Sequence, residues 1–169
     1  TGMWCQYCPR GIALMENLAH KYGDDFIGIA IHTGRGYEPL NCEDYAWKAA
    51  EYKSRPSLTM NRDLTLGSYI AQTEFETERS KGAYMDLEVS AMWDKEKNNI
   101  TVTPNVTFRL NREEAPYGFA YVLTEDGMSS HNWKQANFYN NRTQFYGISD
   151  ELDYFVNAPG TIYNLENNF

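Results

Sequence analysis

Two cysteines separated by two residues, Cys5-Gln6-Tyr7-Cys8, stand near the start of the chain, with Trp4 before them and Pro9 after. The spacing lets two thiols close into a disulfide and open again. From Cys8 onward Ile12, Met15, Leu18, Ala19 and Tyr22 recur at helical spacing, and Gly23 can end the run, so a helix is expected over residues 8 to 22. A dithiol at a helix N-terminus has a chemical purpose. Unpaired backbone N–H groups and the helix dipole stabilise a thiolate, and the thiolate is the species that attacks a disulfide. Cys5 is the expected nucleophile and Cys8 the resolving thiol. Gln6 and Tyr7 carry no charge, so they leave the reduction potential open.

Other chemistry is weighed beside this. The same pair could be a bridge that only staples the helix to its loop. Cys5, Cys8, His32 and Cys42 could form a Cys₃His zinc set, although the spacing between its halves is loose and no second CxxC exists. His32 ends an apolar run and either assists proton transfer near Cys5 or is a surface polar group. Cys42 opens a second helical segment, as a third redox thiol or as a partly buried inert one.

The elements that must position these residues follow from pattern. Phe26 to Ile31 is a short, continuous apolar run between Asp24-Asp25 and Gly34, as expected of a strand buried on both faces. Asn41 can cap a helix from about Cys42 to Lys53. Pro56 breaks the chain. Ser57 to Met60 and Leu64 to Leu66 are expected strands around an Asn61-Arg62-Asp63 turn, and Ser68 can cap a helix to about Ser80. Beyond residue 82 the period changes. Met85, Leu87, Val89, Ala91 and Trp93 alternate with mostly polar residues. Ile100, Val102, Pro104, Val106, Phe108 and Leu110 do the same, and Lys95 to Asn98 join the two runs in an expected antiparallel hairpin. Pro104 implies an edge position or a bulge. Phe119 to Thr124 reads as a third strand. Residues 129 to 146 are polar and aromatic without a clear period, and 149 to 156 hold a helical turn. The expected division is an α/β domain over residues 1–81 and an antiparallel, sandwich-like β-rich domain over 82–169.

Composition narrows the function classes. The chain has 169 residues, 42% of them hydrophobic and 15% aromatic, enough to bury a core. Its net charge of −8 offers no positive stripe for nucleic acid and gains nothing from an anionic membrane surface. No apolar run approaches the roughly 18 residues of a membrane span. Three cysteines make one disulfide and one free thiol the simplest oxidised state. Sequons at Asn99, Asn105 and Asn141 carry no weight by themselves.

The order helix, strand, helix, proline, two short strands, helix after a CxxC is that of a thioredoxin fold, in which Pro56 falls at the proline that faces the dithiol. Thr1-Gly2-Met3-Trp4-Cys5-Gln6-Tyr7-Cys8-Pro9-Arg10-Gly11 resembles the opening of the thioredoxin-like, outer-membrane-protein-28-related family of exported bacterial lipoproteins. Tyr22-Gly23-Asp24, Ile31-His32, Pro56-Ser57, Asn61-Arg62, Val122 to Gly127 and Trp133 to Asn137 continue the likeness. The resemblance implies a thioredoxin-like domain joined to a β-rich one, and export to the periplasm or outer-membrane surface. By motif position Cys5, Cys8 and Pro56 carry over as redox-site candidates, with Trp4, Pro9 and His32 as accessories. The dithiol would itself be the redox group, so no organic cofactor or metal is expected. Partners would be protein or peptide thiols and disulfides, with membrane contact only through an upstream lipid anchor. A thioredoxin fold also needs a central strand leading into its CxxC loop. Four residues before Cys5 are too few for it, so upstream residues are expected to supply that strand. The rival reading is a surface binding module on a thioredoxin-like scaffold, with Trp133 to Tyr146 as contact surface or as a self-packed loop. A buried Cys5 would favour the rival, and an exposed one beside a groove the enzyme.

Overall fold

The structure is a computed structural model that describes residues 1–34, 37–67, 69–109 and 117–169. The chain divides into two compact units, one of Thr1–Phe75 with Val122–Phe169 and one of Glu76–Tyr121. The expected division at residues 81–82 differs from this. The last 48 residues belong with the dithiol unit because their backbone bonds to it: Ala136 N–H donates to Met3 O and Phe138 N–H to Gln6 O, both at 2.8 Å.

The first unit is organised around α1 (Pro9–Tyr22). Pro9 occupies its first turn, where a missing N–H costs nothing, and Gly23 closes it at φ 52° with its N–H on Ala19 O. Two apolar faces leave this helix in different directions. Ala13 enters a core with Tyr139, Leu152, Phe155, Val156 and Ile162. Leu14 and Leu18, one turn apart, enter another with Leu58, Leu66 and Ala71. The second core is held by the hairpin of β1 (Leu58–Met60) and β2 (Leu64–Leu66), whose turn is left-handed at Asn61 and Arg62. The first core is closed by α4 (Asp150–Asn157), capped by Ser149 Oγ on Leu152 N–H, and by the short pair β5 (Lys134–Ala136) and β6 (Thr161–Tyr163).

Several expectations are corrected here. Phe26 to Ile31 joins no strand among the described residues. Its end is held by Thr1, whose N donates to Ile31 O at 2.8 Å and whose O accepts Thr33 N–H, while Ile27 and Ile29 stay exposed. The expected 42–53 helix shrinks to a 3₁₀ turn, Glu43–Tyr45, and the four-residue α2 (Ala46–Ala49). Arg55 ends it, donating to Ala49 O, Tyr52 O and Ser54 O. Helix α3 (Gln72–Ser80) starts later than Ser68, which lies outside the described residues. Phe119 to Thr124 forms no strand. The 133–146 stretch is not a surface loop, since Gln135, Asn137 and Tyr139 within it are buried.

The second unit is built on a hairpin of β3 (Met85–Asp94) and β4 (Asn99–Phe108) in unbroken register. Asp94 Oδ1 receives the N–H groups of Glu96 and Lys97, which closes its four-residue turn. Pro104 opposes Val89 with no bulge in the ladder. Leu110, the expected end of β4, lies outside the described residues. Among the described residues, no helix is long and apolar enough to cross a membrane.

Candidate dithiol site

Cys5 and Cys8 are free thiols at the start of α1, and Cys8 is the residue that caps it. A tight turn sets the first cysteine: Cys5 N–H donates to Gly2 O and Cys8 N–H to Cys5 O, each at 3.1 Å. The helix then begins at once, with Gly11 and Ile12 N–H groups on Cys8 O. The neighbouring Cys5 thiol draws the Cys8 thiol down to about 7, with burial opposing and the Thr1 side chain assisting. The Cys8 thiol and burial together push Cys5 up, with the backbone N–H groups of Tyr7 and Cys8 opposing. Both residues are buried, Cys5 at 4% exposure and Cys8 at 0%.

The C-terminal part of the unit bonds to the backbone of the dithiol loop. Gln135 donates its side-chain amide to Cys5 O at 3.1 Å and to Ala136 O at 2.8 Å. With Ala136 on Met3 O and Phe138 on Gln6 O, three carbonyls of the dithiol loop are occupied by one segment. Asn137 anchors that segment from behind, donating to Phe155 O at 2.7 Å and accepting Tyr139 N–H. Trp133 to Asn137 is expected either as a family-like segment or as part of the Trp133 to Tyr146 surface, not as a neighbour of the dithiol. Neither period nor composition marks Gln135 as a neighbour of Cys5.

The accessory positions separate. Trp4 and Tyr7 are each 44% exposed beside the loop; Trp4 donates its indole N–H to Thr33 O, and Tyr7 packs on Phe138 at 4.5 Å between ring centroids. Pro56, after a cis peptide bond, packs against α1 at Gly11, where an added Cβ would lie 3.3 Å from the proline. On that side a cavity of about 70 Å³ is lined by Gly11, Ile12, Ile31, His32, Pro56 and Phe169, and neither cysteine reaches it. His32 is not a surface group. It is 5% exposed, with Nδ1 3.0 Å from Glu38 Oε1. Cys42 is half-buried and donates its N–H to His32 O. Among the described residues, no group of three or more His, Cys, Asp or Glu side chains is placed to hold a metal ion.

No family model, no curated protein and no solved structure matches this chain.

Proposed function

We propose that this protein exchanges its Cys5/Cys8 dithiol with disulfides of proteins or peptides, as an exported member of the thioredoxin-like group. The observation that carries this reading is the placement of two free thiols, two residues apart, at the head of α1, where Cys8 caps the helix and its N-terminus favours a thiolate. Cys5, the less enclosed of the two, attacks one sulfur of the partner disulfide after its proton passes to Cys8. A mixed disulfide forms and the other partner sulfur leaves as a thiolate, which takes up a proton. Cys8 then loses its proton and attacks Cys5, releasing the second partner thiol. The dithiol gives up two electrons and the partner disulfide gains them. The exposed rings of Trp4 and Tyr7 offer an apolar surface beside the loop for a peptide backbone or side chain.

A second reading rests on a specific observation. Cys5 is 4% exposed, and the loop carbonyls beside it are already bonded to residues 135–138. That suits a structural bridge in a binding module. The reduction potential separates the two. A value between roughly −120 and −270 mV, titrated against glutathione or dithiothreitol with Trp4 fluorescence as probe, supports exchange. A value below about −300 mV marks a structural bridge and overturns the exchange reading.

A further inference from the structure

Glu38 is a buried acid that the exchange steps do not use. Its side chain has no exposed surface. Oε2 accepts Met3 N–H at 2.6 Å, and Oε1 meets His32 Nδ1 at 3.0 Å and Leu40 N–H at 3.3 Å. Burial pushes this carboxyl up, but the His32 contact and the Met3 N–H outweigh it, so the group lies below its ordinary value and is ionised at neutral pH. Gly34 makes the inward turn feasible, since a Cβ there would lie 2.5 Å from Glu38 Cβ. Met3 is held on its other side too, because its O receives Ala136 N–H. The carbonyl of the same peptide group as Met3 N–H, Gly2 O, receives Cys5 N–H. The charged Glu38 acceptor thus fixes the turn that delivers Cys5 to the head of α1.

Building on the exchange reading, we propose that Glu38 is the positioning residue of the dithiol, setting the Gly2–Cys5 turn through Met3 N–H and so the placement of Cys5 at the head of α1. A carboxylate that only closed its loop would change stability and leave thiol chemistry alone. Glu38→Asp keeps the charge and withdraws the oxygens from Met3 N–H. Glu38→Gln loses the charge and keeps an oxygen at full reach.

The test is the rate of iodoacetamide alkylation of the reduced full chain across pH, with the modified cysteine located by mass spectrometry. Glu38→Asp is expected to slow Cys5 alkylation about tenfold at neutral pH and to move the thiolate midpoint upward. Glu38→Gln is expected to recover part of that rate. A folded Glu38→Asp chain with wild-type rate and midpoint overturns the proposal, as does a Glu38→Gln rate no closer to wild type than that of Glu38→Asp. Should both variants unfold, the wild-type chain decides. Hydrogen exchange at the Met3 amide must differ between the oxidised and reduced dithiol, and an amide blind to redox state overturns the proposal. Alkylation needs no disulfide substrate, so a potential below the working range would sink the exchange reading while leaving the effect of Glu38 measurable.

Discussion

The side-chain amide of Gln135 donates to the backbone carbonyl of Cys5 at 3.1 Å, across 130 residues of chain. The contact is buried, and it joins the two sequence-distant parts of the first unit at the proposed reactive cysteine. Replacing Gln135 by Leu keeps the volume and removes both of its bonds, leaving Cys5 O without its side-chain donor. The expected cost is about 1–3 kcal/mol, read from urea unfolding monitored by Trp fluorescence. Cys5 should also be alkylated faster in the variant, since its loop is held less tightly. A variant as stable as wild type would mean that solvent replaces Gln135 at no cost.

The acidity of the thiol pair gives stability a defined pH dependence. Cys8 is held at about 7 in the folded chain, below the value of about 8.5 for an unfolded thiol. Its contribution is therefore present above the unfolded value and is lost as pH falls toward 7. Cys5 is raised, so the unfolded chain releases that proton first and stability falls again at higher pH. The reduced protein should gain stability from about pH 7 to about pH 8.5 and lose it beyond. The oxidised protein should show neither limb. Cys5→Ala removes the neighbouring thiol and should move the Cys8 midpoint, followed by thiolate absorbance, upward.

Local pattern made the proposed site partly legible. The 3.6-residue period from Cys8 to Tyr22 gave α1, because that helix buries two apolar faces. Strict alternation gave the β3–β4 hairpin: the expected run from Met85 to Trp93 pairs with the expected run from Ile100 to Leu110 as far as Phe108. The apolar run at 26–31 misled for a physical reason. Hydrophobicity marks a segment fit to be a buried strand, but a strand also needs a neighbour's hydrogen bonds, which no period announces. Gln135, Asn137 and Glu38 were invisible for a related reason. Each is a polar residue in an aperiodic segment, and its importance comes from carbonyl or N–H groups far away in sequence, Cys5 O, Phe155 O and Met3 N. Of the two readings of His32, the surface one fails because its partner Glu38 lies six residues on in a segment with no pattern.

Glu16 should behave as a destabilising charge. Burial, with the Glu151 carboxylate beside it, raises its carboxyl, and His20 only partly offsets this. A raised carboxyl favours the protonated folded form, so stability is lost as pH rises through the interval between the unfolded and folded values. Glu16→Gln should unfold at a higher temperature than wild type at neutral pH, and the gain should vanish below about pH 4, where the acid is protonated in both states. An equal gain at both pH values would point to packing instead.

The cap of α4 offers a test of the wall behind the dithiol. Ser149 Oγ accepts Leu152 N–H at 3.2 Å, and Asp150, Glu151 and Asp153 lie in the first turn, where the helix dipole favours them. Ser149→Ala should cost about 1 kcal/mol. Because α4 supplies Leu152, Phe155 and Val156 to the core that holds Tyr139, the loss should be global rather than a fraying of one turn. Hydrogen exchange separates these outcomes. A global loss accelerates the amides of α1 and β5 together, whereas fraying touches only residues 150 to 153.

Gly34→Ala tests the space that lets Glu38 turn inward. The added methyl would lie 2.5 Å from Glu38 Cβ and 3.7 Å from its Cα, so Glu38 must shift. The clash is with the root of the side chain rather than its flexible end, and a cost of about 1–3 kcal/mol is expected. The displacement should also lengthen the Glu38–Met3 bond, so a Met3 amide that exchanges faster in Gly34→Ala, in step with faster exchange at Cys5, would tie the crowding at Gly34 to the dithiol turn. A variant that is destabilised while both amides keep wild-type protection would show that Glu38 accommodates the methyl without disturbing that turn.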